Sequence, residues 1–114
     1  MEITMIYYES TAKTRVIDSS MSIKDLFVMK GQPIDCVIGS LDGFHGKFIN
    51  HISEKYYYIL EGSAKIMIND EEFTIGVGDF VHIPKETSHS ICGKIKFAII
   101  CSPAFDFNTE EVLD

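Results

Sequence analysis

Strand-sized apolar runs recur along this chain, and turn signals stand between them about ten residues apart. The runs fall at 3–9, 14–17, 34–38, 44–52, 56–60, 64–68, 72–75, 80–83, 88–92 and 95–100, and all are rich in Ile, Val, Phe and Tyr. Between them stand Leu41-Asp42-Gly43, Glu61-Gly62-Ser63, Asn69-Asp70, Gly76-Val77-Gly78 and Cys92-Gly93-Lys94. Short strands joined by short hairpin turns predict an all-β antiparallel barrel or sandwich. The clearest hairpin joins 64–68 to 72–75 across Asn69-Asp70-Glu71. One helix is expected over 22–30, where Ser22 and Asp25 have capping-box spacing.

With 114 residues, the chain has room for one domain, 1–114, and no repeats or linkers divide it. Eight Phe and five Tyr supply a core. Ten Lys and Arg against 17 Asp and Glu leave a net charge of −7, a sign that repels phosphate backbones and anionic lipid heads. Neither nucleic acid nor a membrane surface is therefore an expected partner. The opening MEITMIYYES lacks the basic stretch and apolar run of a secretion signal, and Cys36, Cys92 and Cys101 form no C-x-x-C pair. Free, buried thiols in the cytoplasm are the expectation.

Chemistry-bearing residues cluster at 43–62 and 78–93. Gly43 precedes Ile49-Asn50-His51, then Lys55, then Tyr56-Tyr57-Tyr58-Ile59-Leu60-Glu61-Gly62; later come Gly78, Pro84, Glu86, His89 and Gly93. This pattern resembles the cupin family, whose first motif runs G-x5-H-x-H-x3–4-E-x6-G and whose second runs G-x5-P-x-G-x2-H-x3-N. The resemblance implies a jelly-roll barrel, the double-stranded β-helix, with a site inside it. Gly78, Pro84 and His89 match in register, and His51 matches the second histidine of the first motif. Four positions depart from the pattern: Ile49 stands for the first histidine, Lys55 for the glutamate, Glu86 for a glycine and Gly93 for the asparagine.

Members of the family usually hold a divalent metal with three histidines and a glutamate. Two imidazoles make a poor metal shell, and an ammonium at about 4 Å would repel a divalent ion by about 8 kcal/mol at an effective dielectric near 20. No cofactor is expected. Were a metal held, His51 and His89 would bind it, joined by Glu54 or by His45, which has the same strand parity as His51. The alternation of side chains puts Ile49, His51 and Lys55 on one face, an inward Tyr57 would share their cavity, and the resemblance adds His89 to the same pocket. Plainer readings exist: His51 and His89 as core imidazoles, Lys55 as a snorkelling edge lysine, and an outward pair among Tyr56, Tyr57 and Tyr58 as sheet packing or subunit contact. His45 reads as a solvated loop residue and His82 as an exposed strand residue.

Three functions fit these residues. The first is binding of a small polar or anionic metabolite inside the barrel, with Lys55 as the cation for an anion. The second, implied by resemblance to cupin sugar epimerases and isomerases, is metal-independent acid–base catalysis. The third is a metal-dependent cupin dioxygenase or isomerase, against which the missing ligands count. The N-terminal run is apolar on both faces (Ile3, Met5 and Tyr7; Ile6 and Tyr8), so a homodimer with this strand at its interface is expected.

Overall fold

The computed structural model describes residues 5–113. Eight strands follow one another as β1 (Lys13–Val16), β2 (Met21–Phe27), β3 (Asp35–Asn50), β4 (Glu54–Ile68), β5 (Glu71–Gly76), β6 (Phe80–Ile83), β7 (His89–Ser102) and β8 (Glu110–Val112). Single 3-10 turns lie at Glu9–Thr11 and Phe107–Thr109. Every strand pair is antiparallel. The all-β class and jelly-roll architecture read from the sequence are therefore the fold of the chain.

Three strands are much longer than expected: β3, β4 and β7 have 16, 15 and 14 residues, against about five or six for an ordinary strand. Each merges two of the predicted runs. The intervening Leu41-Asp42-Gly43, Glu61-Gly62-Ser63 and Cys92-Gly93-Lys94 do not reverse the chain; they bend it. The bends sit side by side, with Gly43 paired to Gly93, Gly93 to Ala64 and Ser63 to Lys94. A single crease thus crosses all three strands and folds the sheet into two layers. One layer runs β1-β2-β3-β7-β4-β6; the other uses the far halves of the same long strands, in the order β8-β3-β7-β4-β5. The 64–68 hairpin does reverse, through Asn69 and Asp70, whose φ values of 49° and 67° suit a two-residue type I′ turn.

The core fills the space between the layers. Directly paired residues share a face, so rows of inward side chains run across the sheet: Ile59 beside Phe97, Leu41 beside Ile95, Ile66 beside Ile91. All six are at most 4% exposed. Phe97 packs edge-on against the Tyr57 ring, with centroids 5.1 Å apart and planes at 85°.

Three further expectations fail. The stretch expected to be helical is mostly strand β2, because Met21 and Ile23 alternate inward with period two while the sheet edge of β3 lies open to receive them. Asp25, the supposed capping partner, forms a bidentate pair with Arg15 across β1–β2 at 2.7 and 2.8 Å. The first expected strand begins outside the described residues; residues 5–8 carry no strand, and Met5, Ile6 and Tyr8 are exposed. Of the cysteines, Cys101 is buried and Cys36 half-buried, whereas Cys92 is exposed because it flanks the crease on the outer face.

Candidate functional site

The polar residues of the interior collect toward one end of the barrel. β4 carries Lys55 and Tyr57 inward, two residues apart, and both are buried. Lys55 pairs through β7 residue Cys101 with Asp35 of β3, so these three form a polar row across one layer. From the opposite layer β7 directs His89 at Tyr57, and the phenol hydroxyl lies 3.2 Å from Nε2.

His45 shares this interior, but His51 does not. The register of β3 against β7 shifts between His45 and Phe48. Before the shift the odd-numbered residues face inward, His45 lying opposite buried Ile91; after it Phe48 and Asn50 do, Phe48 lying opposite His89. A bulge reverses which parity faces the core. The expectation that Ile49 and His51 line the pocket is corrected for that reason. Ile49 turns away, and His51 stands exposed in the β3–β4 turn, with Nδ1 3.1 Å from Glu86 and Nε2 2.8 Å from Glu111. The two carboxylates, Glu111 first, raise its pKa. His45 is not the solvated loop residue expected: it lies on β3 with its side chain 18% exposed, stacks near Phe48 and has Nδ1 3.4 Å from Asp18. Burial keeps it neutral. His82 is exposed as expected, held by Glu54 at 2.7 Å and lying flat on Tyr56. Glu54 therefore faces outward with it.

Sequence reasoning missed the residue that completes the cluster. Lys55 Nζ donates to both carboxylate oxygens of Glu110, at 2.7 and 3.0 Å, and both side chains are about nine-tenths buried. Glu110 opens β8, three residues that pair with the end of β3 opposite Asn50. The Phe105 ring lies 5.6 Å from the same ammonium. Asn50 is the other omission: its side-chain oxygen accepts from the Ile52 and Ser53 amides and fixes the turn into β4. One signal pointed to Glu110, since a cation at an inward position needs a counter-anion and the tail is acidic.

The protonation states follow from burial. Burial first, then the charge of Lys55, pushes the pKa of His89 down to about 3, so its imidazole is neutral. The ring has Nε2 at Tyr57, and its buried Nδ1 lacks a well-formed partner, with only the Thr87 backbone acting on it. Burial raises Tyr57 well above the ordinary phenol range and the Cys101 thiol to about 12, so neither is an anion at neutral pH. Asp35, also raised by burial, accepts from the Phe105 amide at 2.8 Å.

A pH dependence of stability follows. A histidine that protonates near 6.5 when unfolded and about 3 when folded favours the native state above pH 6.5. That advantage is lost as pH falls from 6.5 toward 3, by about 1.4 kcal/mol per pH unit. Denaturant unfolding from pH 6.5 down to about 4.5 should show the slope, and His89→Gln should remove this component of it. His51 acts in the opposite sense and in another window: its raised pKa adds stability below 6.5 that is lost as pH rises through its folded value.

A metal is what the family pattern would bring to such a site. The interior offers two imidazoles, His45 and His89, an ammonium where a carboxylate would stand, and a carboxylate already engaged by that ammonium. Among the described residues, no group of three or more His, Cys, Asp or Glu is arranged to hold an ion. This donor set does not fit a divalent transition metal. What it can do is donate and accept hydrogen bonds in a dry setting. A separate cavity of about 640 Å³ opens on the outer side of the crease, among Ser20, Ser40, Asp42, Glu61, Lys94 and Lys96, and none of the interior cluster lines it.

Comparison with known proteins agrees with this architecture. Residues 42–94 match the model of the cupin domain family. An uncharacterized protein, MJ1618 of Methanocaldococcus jannaschii, is 33% identical over 69 residues, which cover 57% of this chain and only 55% of that one. A tyrosine-to-phenylalanine variant of Streptomyces PAC13 with uridine superposes with a TM-score of 0.88 at 19% identity, over 98% of this chain and 92% of that one. Pac13 is described as a nucleoside dehydratase. KdgF from Halomonas sp. gives 0.82 at 14% identity, over 91% and 97% of the two chains. No helix among the described residues is long and apolar enough to cross a membrane. Residues 42–94 thus match the cupin domain family, and the barrel built around them has the cupin fold.

Proposed function

We propose that the interior cluster binds a small, uncharged, hydroxyl-rich metabolite of nucleoside or sugar character, without a metal. The observation that carries this reading is charge balance. Lys55 and Glu110 neutralise one another, while Tyr57, His89 and His45 are uncharged at neutral pH. A buried site whose one ammonium is already paired with a carboxylate favours a ligand that brings hydrogen-bonding groups and little charge of its own. The likeness in fold to Pac13, solved with uridine, supports the same class. Uridine is accordingly the probe. In a ligand-observed NMR titration it should bind the wild type, and Tyr57→Phe should weaken it about tenfold, the worth of one buried hydrogen bond. Tight binding of oxalate, with none of uridine, would reject this reading.

A second reading, catalysis by proton transfer, is favoured by the Tyr57–His89 pair, where a protonated phenol meets a neutral imidazole at 3.2 Å. Its mark would be deuterium uptake from D2O at a carbon beside a sugar carbonyl, abolished in His89→Gln. We also propose a homodimer through the N-terminal segment, whose Met5, Ile6 and Tyr8 side chains are exposed. Sedimentation of a monomer at micromolar concentration would exclude it. The absence of charge complementarity to phosphate, at a net charge of −7, supports a partner set without nucleic acid or membrane.

A further inference from the structure

We propose that Glu110 is the specificity-determining residue of the interior site: an anion built into the chain that occupies the Lys55 ammonium and so keeps anionic ligands out. The inference rests on the reading of the interior as a ligand site and states how the chain sets the charge of what enters.

Three observations converge on it. Lys55 is 7% exposed and sits at the family position of a metal-binding glutamate, which makes it the one ammonium aimed into the barrel among the described residues. Left alone, such a cation is a strong anion receptor, because few solvent dipoles compete for it. Both carboxylate oxygens of Glu110 lie within hydrogen-bond distance of Nζ, the arrangement a carboxylate ligand would adopt. The carrier of that carboxylate is local and removable. β8 has three residues, pairs only with the end of β3 and is held besides by the exposed His51–Glu111 contact and the Leu113 amide to the Lys47 carbonyl. The barrel does not need a carboxylate from the tail to close, since its layers are joined through β3, β7 and β4. Glu110 therefore performs, from within the chain, the task of a bound carboxylate.

A purely structural ion pair would have the same distances, so the test must read ligand selectivity. Acetate is the probe, because it reproduces the carboxylate that Glu110→Ala removes. Thermal unfolding of the full chain is followed against acetate, with chloride at equal ionic strength as the reference. The wild type should show no acetate-specific shift. Glu110→Ala should show a saturable rise in midpoint with acetate, and Lys55→Met combined with Glu110→Ala should not. Glu110→Gln offers a second route should the alanine variant fail to fold. It keeps the side-chain shape while discarding the charge, and its affinity for oxalate, read by calorimetry, should exceed that of the wild type by roughly tenfold or more. If acetate and chloride act alike on Glu110→Ala, or oxalate binds Glu110→Gln no better than wild type, Glu110 is a structural partner only. If acetate stabilises the wild type as much as the variant, Glu110 excludes nothing and the proposal fails. Uridine is titrated in parallel. Acetate selectivity without uridine binding would reject the ligand class proposed above and leave the role of Glu110 standing, whereas uridine binding without acetate selectivity would do the reverse.

Discussion

Lys55→Met is expected to lower the stability of the fold by about 3–5 kcal/mol, because it strands the Glu110 carboxylate in the interior without a partner. The size of the effect comes from the asymmetry of buried pairs. An intact pair adds little beyond what well-packed apolar side chains would give, since desolvation of both ions offsets their attraction. Removal of one partner leaves the desolvation cost of the other uncompensated. For a domain of this length the thermal midpoint should fall by about 12–20 °C. Lys55→Met together with Glu110→Leu should recover most of the loss, because methionine and leucine fill similar space and remove both charges at once. Circular dichroism melts of the two single variants and the double complete a thermodynamic cycle. A loss below about 1 kcal/mol in the single lysine variant would mean that water screens the pair as it does at a surface, contrary to side chains that are 9% and 10% exposed.

The legibility of this chain was uneven, and the reasons are physical. Strand composition and turn chemistry identified the β class, because branched and aromatic runs between Gly and Asx signals leave few alternatives. The same signals mislead at three places. Gly43, Gly62 and Gly93 look locally like hairpin turns, and only the alignment of all three across neighbouring strands makes them a crease. Such alignment is a long-range fact that no window of sequence contains. The site was lost in the same way. Lys55, Tyr57 and His89 lie on regular strands and are buried, but the bulge between His45 and Phe48 exchanges the faces of everything up to His51. A second departure from the family pattern explains where His51 went. Glu86 occupies the position of the motif glycine with φ of 66°, a conformation that costs a side-chain-bearing residue about 1–2 kcal/mol, and its carboxylate meets His51 on the outside. Glu110 was beyond sequence parity altogether, because β8 returns to β3 after a separation of 60 residues between Asn50 and Glu110.

The crease gives the other large expected effect. Gly62→Ala should cost about 2–6 kcal/mol and leave little folded protein, for two reasons that act together. Its φ of 81° lies in the left-handed region, where a Cβ adds strain, and the new methyl would fall inside the contact shell of the Lys94 carbonyl oxygen on the paired strand. That oxygen belongs to backbone and cannot rotate away as a flexible side chain would. Gly93→Ala meets the same obstacle from the other side: its Cβ would lie 2.6 Å from the Ala64 Cα and from the Ser63 carbonyl oxygen. Gly76→Ala is the control, because nothing approaches its Cβ position closer than the Gly62 carbonyl oxygen at 3.9 Å. Soluble yield and urea midpoints for the three variants should separate the two crease glycines sharply from Gly76. Near-wild-type stability in Gly62→Ala would require β4 and β7 to move apart at the bend. Tyr57 and His89 lie on opposite sides of that bend, on β4 and β7, so the 3.2 Å contact between them would not survive an opened crease. A Gly62→Ala protein that stayed folded should therefore also lose the depressed histidine titration of His89, which two-dimensional NMR of the imidazole would report.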